Sequence, residues 1–320
     1  MPKLALLFPG QGVQAVGMVR QLSEHYPETQ ELLSRADRAL GWSLTDLLAN
    51  GPAEQLNLTP YTQPAILTAS LAYYRAWAAG GVKANGAIGL SLGEYSALAA
   101  AGAIDFDTAV RLVHERGKAM DAAYPPDAGA VVVVLGLNRE TVVSICASAS
   151  SEDALVQASN FNAPDQVVIA GDKAAVERAC AALTSAGAKR LVPLPVSAPF
   201  HTRLLRRAAE TFAPHLQAAT WRAPQMSVIS NVNASVYRSV EEVRQLLCRQ
   251  VSEPIEFAAG IARLLELGFT HFLEVGPGST VGGMVKKINR QVTIYKADSP
   301  AAIAAVAAQI REEIGDLSDE

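Results

Sequence analysis

The most informative segment of the chain reads Gly86-Ala87-Ile88-Gly89-Leu90-Ser91-Leu92-Gly93-Glu94-Tyr95. It predicts a short buried strand, a sharp turn and a helix over residues 94–101. Residues 89–93 fit G-x-S-x-G, in which a serine stands at the apex of a strand-to-helix turn and attacks a carbonyl group. Glycine flanks the serine because such a turn leaves no space for side chains, and the helix start offers a free N–H to an oxyanion. A plain glycine-rich turn is the alternative, because the pattern is common by chance.

The composition is that of a globular chain that buries a large core. Of its 320 residues, 50% are hydrophobic and 18% are charged, and this length suits two domains or one large core with an insertion. A net charge of −4 and a pI near 5.8 argue against a nucleic-acid surface or a polybasic membrane patch. The apolar N-terminal run is too short for a signal peptide, and no segment has the length of a membrane helix. We therefore expect a cytoplasmic protein.

The cysteines give no support to metal or redox chemistry. Cys146, Cys180 and Cys248 are far apart in sequence, and none belongs to a C-x-x-C pair. We expect them to be small, buried and inert. Metal-ligand spacings such as H-x-x-E-H are absent as well, so we predict neither a metal nor a resident cofactor.

The order of the predicted elements indicates an α/β protein with an inserted small domain. Strands alternate with helices over residues 1–127 and 197–320, a pattern typical of a mostly parallel sheet. Residues 128–196 give the order βαββαβ, which is that of a ferredoxin-like unit. The two ends of such a unit lie close together, which suits insertion into a larger domain.

Three helices of the larger domain are predicted from their periodicity. Residues 20–39 follow one helical pattern, and a long Ala/Leu helix is predicted over residues 65–79, directly after Pro64. A further helix over residues 108–123 carries His114 and Arg116.

Two other glycine-rich turns follow predicted strands. The N-terminal loop, Pro9-Gly10-Gln11-Gly12, has the wrong glycine spacing for a dinucleotide-binding turn. Its better interpretation is a loop that brings backbone N–H groups close to a reacting group. Gly276-Pro277-Gly278 precedes a helix, but no Gly-Lys-Thr follows it, so we interpret it as a structural turn.

A serine nucleophile needs a base within hydrogen-bond reach, and His201 is the best candidate. It follows a strand end and opens a helix, at the rim where α/β active sites form. The other four histidines fit a solvated helix surface or the start of a strand: His25, His114, His215 and His271. No carboxylate suggests itself as a third triad member, which leaves room for a dyad oriented by a backbone carbonyl.

Arg116 has two interpretations. Its helix is apolar on one face, and a surface arginine paired with Glu115 or Asp121 is favoured by the sequence pattern alone. The alternative is a bidentate clamp on a substrate carboxylate.

Together these residues resemble the malonyl-CoA:acyl carrier protein transacylases, the acyltransferases of fatty acid and polyketide synthesis. The resemblance extends over residues 3–295. It rests on an N-terminal loop, the elbow, an arginine, a small-domain signature, the loop of the base, a glutamine and a C-terminal turn: Phe8-Pro9-Gly10-Gln11-Gly12, Gly89 to Tyr95, Arg116, Asn160-Phe161-Asn162-Ala163-Pro164 with Gln166 to Ile169, Pro199-Phe200-His201, Gln250, and Glu274-Val275-Gly276-Pro277-Gly278.

The resemblance implies a hydrolase-like α/β domain with an inserted ferredoxin-like subdomain. It also implies ping-pong transfer of a malonyl group from malonyl-CoA through Ser91, with His201 as the base, to the phosphopantetheine thiol of an acyl carrier protein. By the same resemblance, Gln11 and Leu92 form the oxyanion hole, and the main-chain carbonyl of Gln250 orients the base. Arg116 binds the substrate carboxylate. Leu90, Phe200 and Asn162 line the acyl pocket. We expect a monomer that needs no cofactor and binds neither nucleic acid nor membrane.

Two positions depart from the family pattern. Leu90 replaces the usual histidine before the serine, and Val13 replaces a common serine, so substrate tolerance and hydrolytic leakage are open questions. A stand-alone acyltransferase of a polyketide synthase shares every motif, and a transacylase of malonate decarboxylase is a smaller alternative. An editing acyl hydrolase of the same fold is less favoured, because that branch typically replaces the arginine. A non-catalytic partner protein would lose Ser91 or His201.

Overall fold

The computed structural model describes residues 2–196 and 198–314, and its larger sheet is parallel throughout. Five strands form this sheet in the order β7-β2-β1-β8-β9, and each neighbouring pair is parallel. The strands are β1 (Lys3–Phe8), β2 (Gly86–Gly89), β7 (Ser227–Val228), β8 (Phe269–Val275) and β9 (Thr293–Ala297). The α/β fold class with a parallel sheet is thereby confirmed.

A second sheet is built entirely from the middle of the chain. Its four strands have the order β4-β5-β3-β6, and every neighbouring pair is antiparallel. Two helices pack on one face around a core that includes Val134 and Ile169. The elements follow the predicted order βαββαβ: β3 (Gly129–Leu135), α8 (Arg139–Ala149), β4 (Val156–Ala163), β5 (Gln166–Asp172), α9 (Lys173–Ser185) and β6 (Arg190–Pro193). The ferredoxin-like unit is therefore confirmed, while the domain boundaries stay a prediction.

Helices cover both faces of the parallel sheet, because successive residues of its strands are apolar and point to opposite faces. In β1, Leu4, Leu6 and Phe8 face one core, whereas Ala5 and Leu7 face the other. These helices are α1 (Arg20–His25), α2 (Pro27–Leu40), α3 (Leu44–Asn50), α4 (Ala53–Leu56), α5 (Thr59–Ala78), α6 (Gly93–Ala100), α7 (Phe106–Ala122), α10 (Arg206–Ala218), α11 (Val240–Gln250), α12 (Phe257–Glu266), α13 (Val281–Ile288) and α14 (Pro300–Ile314), with a short 3-10 helix at Arg203–Leu205.

Proline divides the single helix predicted over residues 20–39 into α1 and α2. Tyr26 is extended, with φ −126° and ψ 101°, because the ring of Pro27 disfavours a helical residue before it. Pro27 itself opens α2, where its missing N–H costs nothing. The prediction of one continuous helix is wrong for this reason.

Helix α5 begins at Thr59, six residues earlier than the predicted start after Pro64. Pro64 lies inside the helix and has no N–H for the carbonyl of Pro60. The His114 Nδ1 atom lies 2.8 Å from that carbonyl oxygen and donates to it in place of the missing group. His114 is half-buried, so it is less solvated than the expected surface histidine.

Helix α7 packs closely against this first turn of α5. A Cβ atom on Gly117 would lie 2.7 Å from the Pro60 Cα, so only glycine allows the approach. The contact fixes the adjoining Arg116 relative to Gln63, one turn further along α5.

The cysteines only partly match their expected burial. Cys146 is buried, while Cys180 and Cys248 are half-buried, and all three are free. Burial raises the pKa of each thiol, which disfavours the reactive thiolate. Over residues 2–196 and 198–314, no helix has the length and apolar character needed to span a bilayer.

Candidate active site

The elbow is a strained turn at the carboxyl end of β2. Ser91 has a φ of 52°, a left-handed conformation that costs a non-glycine residue about 1–3 kcal/mol. A Cβ atom on Gly89 would lie 1.8 Å from the Gly93 carbonyl carbon, and one on Gly93 would lie 2.4 Å from the Phe8 carbonyl oxygen. The two glycines therefore allow the turn to close against itself and against β1.

Asn231, a buried residue that the sequence analysis missed, holds both sides of this turn. Its Oδ1 accepts from the Ser91 N–H at 2.7 Å, and its Nδ2 donates to the Gly89 carbonyl at 2.8 Å. It follows β7, which places it at the same sheet edge as the elbow. A polar residue directly after a predicted parallel strand was the signal that could have identified it.

His201 lies in the position of a base toward Ser91. Its Nε2 is 2.7 Å from the Ser91 Oγ, and its Nδ1 is 2.7 Å from the Gln250 carbonyl oxygen. Because a carbonyl only accepts, Nδ1 carries the proton and Nε2 of the neutral ring offers a lone pair to the serine. Burial and then the charge of Arg116 lower the pKa of His201 to about 3, against the Gln250 hydrogen bond, which raises it.

Arg116 is fully buried, so the surface-arginine interpretation is wrong. Its Nη2 donates to the Ser91 Oγ at 3.0 Å and to the Gln250 Oε1 at 2.8 Å, and its Nη1 donates to the Gln63 Oε1 at 2.9 Å. The Tyr95 ring lies 5.4 Å from the guanidinium carbon. Among the described residues, its Nε has no hydrogen-bond partner and no carboxylate lies within 4.0 Å. The sequence could not show this, because its partners lie 53 and 134 residues away.

The backbone N–H groups expected to form the oxyanion hole lie in two turns beside Ser91. Leu92 caps the start of α6, and Gln11 lies in the loop after β1. Neither N–H donates to an acceptor within the described part of the chain. The Gln11 side chain is held by Gln63, whose Nε2 lies 3.2 Å from the Gln11 Oε1. The oxyanion role of both groups stays a prediction.

A buried carboxylate, that of Glu94, lies in the first turn of α6. It accepts from the Tyr237 hydroxyl, from the Gln250 Nε2 at 2.5 Å, and from the Asn231 N–H at 3.2 and 3.3 Å. Burial raises its pKa to about 7, although these hydrogen bonds and the Arg116 charge lower it. Sequence analysis gave no role to Glu94, Tyr237 or Gln63.

The three residues expected to line the pocket lie in different surroundings. Leu90 is half-buried against the core that contains Ala5 and Leu7, and Phe200 packs against the core on the opposite face of the sheet. Asn162, in β4, is buried, and its Oδ1 has no partner among the described residues. Their roles in substrate selection stay predictions.

The remaining histidines lie apart from the Ser91 hydroxyl. His25 and His215 are exposed, and His271 is half-buried against the Tyr295 ring. His114 and His215 line a surface cavity of about 510 Å³ between α2, α7 and α10, which contains none of the elbow residues. Within residues 2–196 and 198–314, no three His, Cys, Asp or Glu side chains are grouped to hold a metal ion.

Comparison with known families identifies this arrangement. The family model described as "Acyl transferase domain" matches residues 5–319. The chain belongs to this acyltransferase family. Among curated relatives, the malonyl CoA-acyl carrier protein transacylase of Escherichia coli K12 is 44% identical over 95% of this chain and 99% of its own length. That of Bacillus subtilis 168 is 39% identical over 98% and 99%.

Solved structures give the same result for the fold. The malonyl CoA-acyl carrier protein transacylase of Coxiella burnetii superposes with a TM-score of 0.94 at 36% identity, covering 96% of this chain and 98% of that one. A malonyl-transacylase in complex with a type II polyketide synthase acyl-carrier protein has a TM-score of 0.93 at 40% identity, covering 96% and 99%.

Proposed function

We propose that this chain transfers a malonyl group from malonyl-CoA to the phosphopantetheine thiol of an acyl carrier protein. The observation that carries the proposal is the buried Arg116, whose Nη2 lies 3.0 Å from the Ser91 Oγ. A nucleophile at this position forms an ester, and a guanidinium beside it selects an acyl group that carries a carboxylate.

The resting contacts of Arg116 support this selectivity. Its hydrogen bonds go to the neutral side chains of Gln63, Gln250 and Ser91. No carboxylate of the described residues pairs with Arg116 within 4.0 Å, and Glu94 acts on it only at longer range. Removing one partner of a buried ion pair typically costs about 3–5 kcal/mol. A malonyl carboxylate supplies the missing anion and can bind the fork in a bidentate manner. An acetyl group supplies none.

Acylation of Ser91 follows from the proton positions. The Nε2 lone pair of His201 takes the Ser91 proton while Oγ attacks the thioester carbonyl, and the oxyanion forms beside the N–H groups of Leu92 and Gln11. One such donor is typically worth about 3–4 kcal/mol in the transition state. The C–S bond then breaks, and the CoA thiolate takes the proton from Nε2. The products are malonyl-Ser91 and CoA.

The second half-reaction uses the same atoms in reverse. The carrier thiol gives its proton to the His201 Nε2, and its sulfur attacks the ester carbonyl. The C–Oγ bond breaks, and Ser91 recovers the proton from Nε2. Every group in both steps belongs to this chain or to the two substrates, so the proposal requires neither a metal nor an organic cofactor, and it fits a cytoplasmic monomer.

The substrate carboxylate has a second effect in this scheme. Burial, and after it the positive charge of Arg116, lowers the pKa of His201. When a malonyl carboxylate neutralises that charge, only the effect of burial remains, so the pKa of His201 rises and the ring becomes a stronger base. Malonyl binding thus favours both retention of the substrate and deprotonation of Ser91.

Intact-protein mass spectrometry after brief incubation with malonyl-CoA, acetyl-CoA or methylmalonyl-CoA tests the proposal. We expect one malonyl adduct that is absent in Ser91→Ala and persists until phosphopantetheinylated carrier protein is added. In Arg116→Gln we expect the malonyl adduct to form about 100-fold more slowly or worse, since a contact of several kcal/mol is lost.

Two other outcomes would overturn this assignment. An adduct that water removes before carrier protein is added would indicate an editing hydrolase, and Leu90 would then be the first residue to exchange for histidine. Equal acylation by acetyl-CoA and malonyl-CoA would remove the selective role of Arg116. Presenting carrier proteins of fatty acid and polyketide synthesis in parallel separates those two pathways.

A further inference from the structure

Glu94 is a buried charged group that the proposed transfer does not use. It lies three residues after the nucleophile and is completely buried, yet no hydrogen bond joins it to the Ser91 or His201 side chain in the described residues. A carboxylate removed from water is costly unless it is well satisfied by hydrogen bonds. Its neighbours therefore indicate what the residue does.

Within residues 2–196 and 198–314, the hydrogen-bond partners of the carboxylate are three donors. The Tyr237 hydroxyl donates to Oε1, the Gln250 Nε2 donates to Oε2, and the Asn231 N–H lies within reach of both oxygens. An ionised carboxylate accepts all of these bonds, whereas an amide turns an NH₂ group toward at least one donor.

Two of these donor residues also form hydrogen bonds to the nucleophile or the base. Gln250 also donates its Nε2 to the Ser91 carbonyl at 3.0 Å, and its own carbonyl accepts from the His201 Nδ1 at 2.7 Å. Asn231 accepts the Ser91 N–H at 2.7 Å. Glu94 therefore touches the two residues that orient the nucleophile and the base.

We infer that Glu94 is a positioning residue, which as a carboxylate fixes Gln250 and Asn231 and thereby aligns Ser91 with His201. This role rests on the proposed transferase function. It assigns to the glutamate after the elbow a part in the chemistry rather than in the packing of α6.

The role makes the reaction sensitive to protonation of Glu94. A proton on either oxygen would face a donor and weaken at least one of the bonds described above. The titratable or charged groups that face Glu94 are Tyr237, Arg116 and Tyr95. Burial places the pKa of Glu94 near 7, whereas that of His201 is about 3. A loss of activity on acidification that is absent from Glu94→Gln therefore reports Glu94, whereas a loss that remains in this variant reports His201 in the malonyl-bound site.

The test compares Glu94→Gln, Tyr237→Phe and Ser96→Ala with the unmodified protein. Ser96 is the matched control, because it is buried on the same helix and its Oγ has no partner in the described residues. Rates of malonyl-Ser91 formation and of transfer to carrier protein are measured from about pH 5 to pH 9, which brackets the ionisation of Glu94.

We expect Glu94→Gln to lower the acylation kcat by roughly 10- to 100-fold with KM for malonyl-CoA nearly unchanged, as for a misplaced but intact catalytic pair. The fall in acylation rate on acidification, which is the acidic limb of the pH profile, should disappear in this variant. Tyr237→Phe removes a hydrogen bond to the carboxylate, so it should raise the Glu94 pKa and move the limb to higher pH. Ser96→Ala should resemble the unmodified protein.

Two results would overturn the inference while leaving the transferase function standing. One is a pH profile of Glu94→Gln that is the same as that of the parent protein. The other is a loss of activity in Glu94→Gln that matches the fraction of unfolded protein. Failure of the unmodified protein to form malonyl-Ser91 would instead reject the proposed function.

Discussion

Two strand–turn–helix units flank β1, and their difference explains where the site lies. In β2–α6 the open group is the N–H of the N-cap residue Leu92, which has no acceptor in the described residues and lies beside Ser91, while the first three N–H groups of α6 itself donate to the carbonyls of residues 90–92. In β8–α13 the helix start is closed, because Glu274 accepts the N–H groups of Val281 and Gly282 at 2.8 and 3.0 Å. A helix start can bind an oxyanion only where its N–H groups are unoccupied.

Each unit also contains a buried glutamate with a different task. Glu274 ends a strand and satisfies its own helix. Glu94 is already inside its helix and is turned toward Gln250, Asn231 and Tyr237. One glutamate occupies the N–H groups at its helix start, and the other binds residues that orient Ser91 and His201. The presence of glycine and glutamate alone therefore does not show which turn is reactive.

The largest expected effect is that of Gly93→Ala in the open unit. The new Cβ would lie 2.4 Å from the Phe8 carbonyl oxygen, a backbone atom that cannot move without shifting β1. We expect a loss of about 4 kcal/mol or more in the free energy of unfolding, measured by urea titration, together with loss of acylation. A stable, active variant would show that the elbow is not tightly packed.

Glu274→Ala should have the next largest effect, on stability alone. It leaves two buried N–H groups unpaired at the start of α13, each worth about 1–3 kcal/mol. The free energy of unfolding should therefore fall by roughly 2–6 kcal/mol, while the acylation rate per folded molecule, from active-site titration, stays the same. A specific loss of rate would show that the closed unit takes part in the chemistry.

The free energy of unfolding should depend on pH through the ionisation of Glu94. Its folded-state pKa of about 7 exceeds the ordinary value of 4.5, so its contribution is fully present below about pH 4.5 and is lost as the pH rises through about 7. Unfolding free energies at about pH 5 and about pH 8 should show this decline. Glu94→Gln should flatten it, and an unchanged slope would contradict the assigned shift.

The smallest effect should come from Gly283→Ala, the counterpart of Gly93→Ala in the closed unit. A Cβ on Gly283 meets nothing within 4 Å, and the residue lies inside α13. Alanine should therefore stabilise the protein by about 0.5–1 kcal/mol, because it favours the helix. Destabilisation in the urea titration would show that the start of α13 is more constrained than its open surface indicates.

Local signals were enough to predict the elbow and the order of elements. The strand and helix around Ser91 follow from apolar residues and glycines, and the helix predicted over residues 108–123 lies within two residues of α7 at each end because its periodicity is local. The start of α5 was wrong, because His114 satisfies Pro60 from another helix. No local rule describes such a bond.

The site residues that belong to a sequence motif were predictable. Those whose role depends on burial and tertiary contacts were not. Ser91 and His201 stand in recognisable positions, and the structure brings them within 2.7 Å. The sequence pattern alone favoured a surface position for Arg116, and only the family resemblance marked it as a carboxylate clamp, whereas its actual partners include Gln63 and Gln250. Asn231 and Glu94 act only through the tertiary structure, so composition and spacing could not assign them.

A crystal structure of the malonyl-Ser91 enzyme tests the central claim most directly. If the open helix start and Arg116 together form the site, the ester carbonyl oxygen should lie about 2.7–3.1 Å from the N–H groups of Leu92 and Gln11. The malonyl carboxylate should lie on the Arg116 fork, in place of the Ser91 contact. A carbonyl oxygen turned away from Leu92, with the carboxylate in solvent, would contradict both parts of the account.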